Sequence, residues 1–433
     1  MRGEKYRVLA VASPFPVSGG GLRALRSLRE YVKYYDTSLV IPWSSWDDKD
    51  TLRDSIVYLR DLRNLGVELI GFSKLPNILY KVCRILSPRI FSQLIPLTLP
   101  GMVKCEVLPR DYDAIVVLHE CLDAVYTGRI LAEYFNVPSM VLLQLPPFYG
   151  SKERFLNILK ALLLWREFRS NSKVEEVILK IEALAREVTI EYMSKYRIGG
   201  MLRKYNLIIS ISKATPIEMG SEWVERIVPL DPGVSLDDED LLLMKSIKMK
   251  VKDKEDYLVF GGRPEAGKGL IEALLVFKQI TRYKSNLKLF ITGKISKELL
   301  MRIKMICKKL GIGDKVVFTG FIPRRDRFEI VAKAKLMLYP SHIDSFPYAV
   351  LESLHLGTPV IAYRIPALEI YYGGISSVEL VDEWNLESFT VKAIDILKKG
   401  VEVIKPPKIK SWDEIMNEEV RIVQRLVITG KST

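Results

Sequence analysis

Arg263 and Lys268 stand in the stretch FGGRPEAGKGL at Phe260–Leu270, between the apolar run YLVF and the helical pattern IEALLVFKQI. A planar fork of donors and a point charge, both at the end of a strand, suit a phosphate or diphosphate. The stretch also follows the nucleoside-triphosphatase loop through Gly262, Gly267 and Lys268. That loop next needs a Ser or Thr hydroxyl for Mg²⁺, and the chain has Gly269. No later strand ends in the apolar run plus Asp that would hold the metal from the other side. The stretch therefore reads as a cationic turn.

A second stretch, YPSHIDSFPYAVLESLHLGTPVIAYRIPALEIY, carries Asp344 and Glu352 with seven residues between them. Ser345 reads as a helix N-cap, Pro347 as a first-turn residue, and Gly357 as the stop. Asp344 then precedes the helix and Glu352 lies about two turns inside it. The amides around Tyr348 and Ala349 become an anion site.

Taken in order, these motifs resemble the retaining glycosyltransferases of family 4, which have the GT-B fold. There a Glu-x7-Glu motif lies on a strand–loop–helix, and a strand-end Arg with a nearby Lys holds the donor diphosphate. This chain has Asp344 in place of the first Glu, with Glu352 as the second, and Arg263 and Lys268 as the cationic pair. The resemblance extends to ITGK at Ile291–Lys294 (with Gly293), FTGFIPRRD at Phe318–Asp326, GTPVIAY at Gly357–Tyr363 and SWDEI at Ser411–Ile415. It covers residues from about 256 to 420 in order, and 1–236 more weakly.

The resemblance implies a metal-independent transfer of a sugar from a nucleoside-diphosphate sugar, UDP- or GDP-linked, to an acceptor hydroxyl with retention. No cofactor is expected beyond that donor. Arg263, Lys268, Asp344 and Glu352 are the implied catalytic set. Glu352 should bind the ribose hydroxyls and Asp344 the transferred sugar. The base should lie against Gly320, Phe321 and Ile322. Helix amides near Ser345, Phe346, Pro347, Tyr348 and Ala349 should face the diphosphate, as should Gly262 and Gly293. In the first half, Gly20 and Gly21 of SGGG at Ser18–Gly21 match the family's glycine-rich loop. His119 and Gln144 end strands on the acceptor side. A Gln is no general base, so the leaving phosphate should take the acceptor proton. Asp344 is one methylene shorter than Glu, which bears on sugar preference. His342 and His355 read as structural, and the DxD at Asp111–Asp113 as a turn before AIVVL.

The elements that must position these residues alternate. YRVLAVAS, TSLVIPW, GVELIGF, AIVVL, SMVLLQ and YNLIISIS read as strands, and YLVFGG, NLKLFITG, KVVFTG, AKLMLYP and TPVIAY form a second series. Such alternation predicts parallel sheets covered by helices. The expected architecture is α/β, two Rossmann-like domains facing each other across a donor-binding cleft. We place the first at 1–236, with a helical insertion over about 151–205. The second is placed at 237–405, behind a charged linker over 231–256, and a helix at 406–433 crosses back to the first.

At 433 residues the chain is long enough for two cores. Its net charge of +13 attracts anions. No nucleic-acid module accompanies that charge, so nucleic acid is not an expected partner. Cys83, Cys105, Cys121 and Cys307 have no CxxC spacing, which argues against a zinc site and for a reducing cytoplasm. MRGEKYRVLAVAS enters a strand too soon for a signal peptide. The uncharged run Tyr134–Ser151 is broken by prolines and is no membrane span. Residues 151–205 carry twelve Lys and Arg against seven Asp and Glu. With the apolar segment Ile85–Val103, they suggest peripheral contact with an anionic membrane surface and a glycan or lipid-linked acceptor.

Overall fold

The computed structural model describes residues 5–15, 19–42, 49–74, 104–105, 111–170, 172–400 and 404–430. Ser18, Cys83 and the segment Ile85–Val103 lie outside them. By contact clustering the chain divides into two compact units. Unit 1 comprises Met1–Gly150, Arg186–Val234 and Lys410–Thr433, and unit 2 comprises Ser151–Ala185 and Ser235–Ile409.

Unit 1 is built on β1 (Arg7–Val11), β2 (Asp36–Ile41), β3 (Glu68–Lys74), β4 (Lys104–Cys105), β5 (Ala114–Val117), β6 (Ser139–Leu143), β7 (Leu207–Ser210) and β8 (Ile227–Pro229). They form one sheet in the order β4-β3-β2-β1-β5-β6-β7-β8. The two-residue β4 pairs antiparallel with β3, and the other pairs are parallel. The strands are apolar runs such as AIVV and SMVLL, fully buried because helices cover both faces. Phe148, Ile198, Trp223 and Tyr205 join Leu9, Val117 and Val141 in one core.

Unit 2 carries β9 (Tyr257–Phe260), β10 (Lys288–Thr292), β11 (Val316–Gly320), β12 (Leu336–Tyr339), β13 (Val360–Tyr363) and β14 (Val378–Val381). The order β11-β10-β9-β12-β13-β14 is parallel throughout. Strand order reverses between β9 and β12, the place where doubly wound sheets open a crevice. The two α/β units are of the Rossmann-like kind from which GT-B proteins are built.

The elements depart from the sequence reading at several points. The glycine-rich turn is already helix, since Gly19–Tyr34 is helical from its first glycine. A Cβ on Gly21 would lie 1.7 Å from the Phe15 carbonyl oxygen, so this first turn packs on the preceding backbone. The expected linker contains the helix Asp238–Lys250, with Met244 and Ile247 buried and an acidic first turn. Strand β14 had no counterpart in the reading. The expected insertion is two helices, Lys152–Arg169 and Lys173–Leu202. Its residues through Ala185 group with unit 2, and those from Arg186 group with unit 1.

Within unit 2, the helix Lys152–Arg169 is fastened through Glu383. Arg154 pairs with Glu383 and donates to the His342 carbonyl at 2.8 Å, and Asn157 donates to Glu383 at 3.0 Å. His342 is fully buried, with Nδ1 2.6 Å from Glu383 and Nε2 2.9 Å from Glu272. Burial opposes its protonation, yet the two carboxylates outweigh burial and raise its pKa above the ordinary imidazole value. This histidine is structural, as the sequence suggested. Asp113 is also structural: its carboxylate accepts from the Arg7 amide at 2.8 Å, at the start of β1.

Candidate functional site

At the carboxyl ends of β9 and β10, unit 2 has a pocket of about 610 Å³. Gly262, Arg263, Gly293, Tyr348, Ala349 and Glu352 line it, which brings together six residues singled out from sequence. The backbone at the end of β9 comes close to β12. A Cβ on Gly261 would lie 2.4 Å from Met337 Sδ. Arg263 is largely solvent-exposed, with Nη2 3.1 Å from Glu265 Oε1, and its guanidinium remains accessible to a ligand.

Lys268 sits behind this turn and is not in the lining. Its Nζ lies 2.7 Å from Asp344 Oδ2 and 2.7 Å from the Ile343 carbonyl oxygen. Tyr339 donates to the same Asp344 oxygen at 2.5 Å. Burial, followed by the charge of Asp344, holds the Tyr339 hydroxyl well above its ordinary pKa, so it remains a donor. Lys268 and Asp344, candidates from two different stretches that the sequence did not pair, are therefore in direct contact.

The position after Lys268 explains why the nucleoside-triphosphatase reading fails. Gly269 has φ +71°, and a Cβ there would lie 1.9 Å from the Pro340 carbonyl oxygen. No Ser or Thr fits without moving β12's exit. The turn is a short 3₁₀ segment, Ala266–Lys268, followed by the helix Leu270–Tyr283.

Glu352 lies in the helix Tyr348–His355. This helix starts later than the sequence suggested. Pro347, not Ser345, occupies the N-cap position, and Ser345 and Phe346 are buried packing residues. The Pro347 carbonyl accepts from Tyr372 Oη at 3.0 Å and from the Val350 amide at 3.1 Å. The helix ends as expected, with Gly357 at φ +76°. Glu352 is thus one turn into the helix, and both its oxygens are taken by Arg327 at 2.6 and 2.8 Å. Burial alone would depress the Arg327 pKa. The Glu352 hydrogen bonds, together with the charges of Glu352 and Asp240, outweigh it and raise that pKa.

Arg327 and Ser296 also line the pocket, and sequence reading missed both; Lys294, the last residue of ITGK, lines it too. The quoted motif ended at Asp326. Nothing local marks Arg327, because its partner is distant in sequence. Gly320, Phe321 and Ile322 are not in the pocket lining. Gly320 has φ +67°, and its carbonyl accepts from the Gly293 amide at 3.0 Å, which ties that loop to the pocket wall. Phe321 is 84% exposed.

In unit 1 the structure also brings together Gly20, His119 and Gln144. Gln144 Nε2 donates to the Gly20 carbonyl at 3.0 Å and the Leu118 carbonyl at 2.7 Å, and lies 3.4 Å from His119 Nδ1. His119 Nε2 is 3.1 Å from the Ser13 carbonyl, so that nitrogen carries the proton. Burial pushes the His119 pKa down to about 4, against the Ser13 hydrogen bond, and the ring is neutral near pH 7.

Residues 245–401 match the family model described as glycosyl transferases group 1. A curated relative, D-inositol 3-phosphate glycosyltransferase of Segniliparus rotundus, is 28% identical over 145 residues, 33% of this chain and 32% of that protein. The chain thus spans about a third of that relative's length. Among solved structures, sucrose-phosphate synthase from Thermosynechococcus elongatus aligns with a TM-score of 0.60 at 14% identity, covering 98% of this chain and 100% of that one. HepE of Anabaena in complex with UDP-glucose gives a TM-score of 0.56 at 12% identity, covering 99% and 100%. At such identity the likeness concerns the fold. Among the described residues, no helix is long and apolar enough to cross a membrane.

Proposed function

We propose that the chain is a retaining glycosyltransferase that moves a sugar from a nucleoside-diphosphate sugar to an acceptor hydroxyl. The observation that carries this reading is the single pocket shared by Arg263, Gly293 and Glu352, with the Lys268–Asp344 pair directly behind its turn. The group 1 match over the same residues supports it, as does the UDP-glucose bound by HepE.

In the proposed step the anomeric carbon–phosphate oxygen bond breaks and a bond from that carbon to the acceptor oxygen forms on the same face. The acceptor proton passes to the departing diphosphate. Negative charge grows on that diphosphate, and Arg263 and Lys268 neutralise it without a metal ion. Asp344 holds Lys268 in place and presents its remaining lone pairs to sugar hydroxyls. Glu352 accepts the ribose hydroxyls while Arg327 fixes its carboxylate plane. With His119 neutral and bonded and Gln144 an amide, proton transfer to the leaving group needs no side-chain base. We assign the acceptor to a glycan or lipid-linked glycan at the cytoplasmic, anionic face of a membrane.

Thermal stabilisation should be measured with UDP, GDP, ADP and ATP, each with EDTA and then with Mg²⁺. Stabilisation by one diphosphate in EDTA is expected, and a response confined to ATP with Mg²⁺ would overturn the assignment. Lys268→Ala and Glu352→Ala should each lower transfer about 100-fold or more with the fold intact. Donor binding with neither transfer nor hydrolysis across broad acceptor pools would make the protein a non-catalytic binder.

A further inference from the structure

The helix Lys152–Arg169 comes from the first half of the sequence, yet it belongs to unit 2 and packs against the Ala266–Lys268 turn. Its N-cap is Ser151, whose side chain accepts from the Arg154 amide, so Arg154 is the third residue of the first turn. That position favours Glu or Gln, and a cation there works against the helix dipole. A local rule broken in this way marks a side chain kept for a contact elsewhere.

The contact is with the loop that carries Asp344. The planar guanidinium of Arg154 spans two partners. It pairs with Glu383, and its Nη2 donates to the His342 carbonyl at 2.8 Å. Arg154 and Glu383 are both largely buried. The next carbonyl along the chain, that of Ile343, accepts from Lys268 Nζ at 2.7 Å and from Ser341 Oγ at 3.0 Å. The next side chain, Asp344, takes Lys268 and Tyr339 on one oxygen. The His342 amide donates to the Gly267 carbonyl at 2.9 Å, on the turn that presents Lys268. Turn and loop are thus joined through consecutive residues, and Arg154 fixes the loop at the peptide just before Ile343.

Other bonds keep the helix docked. Asn157 donates to Glu383 at 3.0 Å, and its carbonyl accepts from Trp384 Nε1 at 3.2 Å. At the far end, Arg302 Nη1 donates to the Arg169 carbonyl at 2.7 Å. None of these three bonds ends on the loop.

We propose that Arg154 is a positioning residue for the Lys268–Asp344 pair, acting through the His342 carbonyl. The inference rests on the proposed function for what that pair does in transfer. Arg263 and Glu352, which line the donor pocket, take no part in this array. Loss of Arg154 should therefore be felt in turnover more than in donor binding.

Initial-rate kinetics of Arg154→Met, Arg154→Lys and Asn157→Ala test it. Misplacing a reacting group by about 1 Å costs about 100-fold, so Arg154→Met should lose about that much in kcat while donor KM changes far less. Arg154→Lys keeps a charge beside Glu383 but replaces the fork by a single ammonium. It should hold the melting temperature of wild type, yet remain about tenfold or more below it in kcat. If Arg154→Met fails to fold, the Lys variant decides. Asn157→Ala, which removes a Glu383 contact alone, should turn over as wild type does. Full kcat in Arg154→Lys would overturn the proposal and leave Arg154 as a counter-charge to Glu383. A matching loss in Asn157→Ala would overturn it in favour of helix docking as a whole. Hydrogen exchange over residues 341–346, read by mass spectrometry, needs no donor. It should quicken in Arg154→Lys, and unchanged exchange would overturn the positioning role. A wild type that transfers no sugar would overturn the proposed function, and the exchange measurement would still decide the part played by Arg154.

Discussion

At the scale of the residue, the arrangement that most constrains the chemistry is the fork of Arg327 on both oxygens of Glu352. An ionised carboxylate has about four lone-pair sites, so two remain, in a plane that Arg327 sets, for the ribose hydroxyls of the proposed donor. Arg327→Ala should therefore raise the donor KM about tenfold or more and change kcat less, a split that initial-rate kinetics would resolve. An equal fall in kcat and kcat/KM would instead place Arg327 in the transition state. Gly269 makes the complementary case. Gly269→Ser would restore the residue type of a nucleoside-triphosphatase loop, but the left-handed backbone and the Pro340 carbonyl at 1.9 Å leave no place for it. The variant should lose more than the ~1–3 kcal/mol of backbone strain alone, read from urea unfolding, and should gain no ATP hydrolysis. Mg²⁺-dependent ATPase activity in that variant would refute the steric argument.

At the scale of the element, the C-terminal helix Trp412–Gly430 is held to unit 1 by charge as well as by apolar contact. Glu419 is fully buried, pairs with Arg23, and accepts from Tyr31 Oη at 2.6 Å. Arg23 also donates to the Gly233 carbonyl at 2.6 Å. Removing one partner of such a pair strands the other without solvent, a loss of about 3–5 kcal/mol. Glu419→Ala should show that loss in chemical denaturation, whereas an effect below about 1 kcal/mol would mean that water reaches Arg23. The helix itself was legible in SWDEI and its apolar repeat, as were the strands whose buried runs have no polar alternation. Elements decided by distant contacts were not. The helix Asp238–Lys250 looks like charged connection because it buries only Met244 and Ile247. Ser345 has the type of a cap, but Phe346 packs against Tyr371 and Tyr372, which delays the helix to Tyr348. The candidates Arg263, Lys268, Asp344 and Glu352 could be proposed because they cluster in two short stretches. Arg327 could not.

At the scale of the whole molecule, unit 1 holds a half-buried histidine and unit 2 a fully buried one, and the two are displaced in opposite directions. His119 in unit 1 is pushed down to about 4 by burial. His342 in unit 2 is raised, because Glu272 and Glu383 outweigh burial. Protonated, His342 donates from both ring nitrogens to carboxylates. Neutral, it has one N–H, and its other nitrogen must face a carboxylate lone pair to lone pair. A raised folded pKa means stability that is fully present below the ordinary imidazole value of about 6.5 and is lost as pH rises through the folded pKa. Glu383 is displaced the other way: burial raises its pKa, but His342 and Arg154 outweigh it, so its own loss begins only in acid. Between these limits the gap in melting temperature between wild type and His342→Gln should be widest below pH 6.5 and should close as the pH rises above neutrality. Thermal melts of both proteins from about pH 5.5 to 9.5 would decide it. A gap independent of pH would mean that His342 stays neutral and that Arg154 alone balances Glu383.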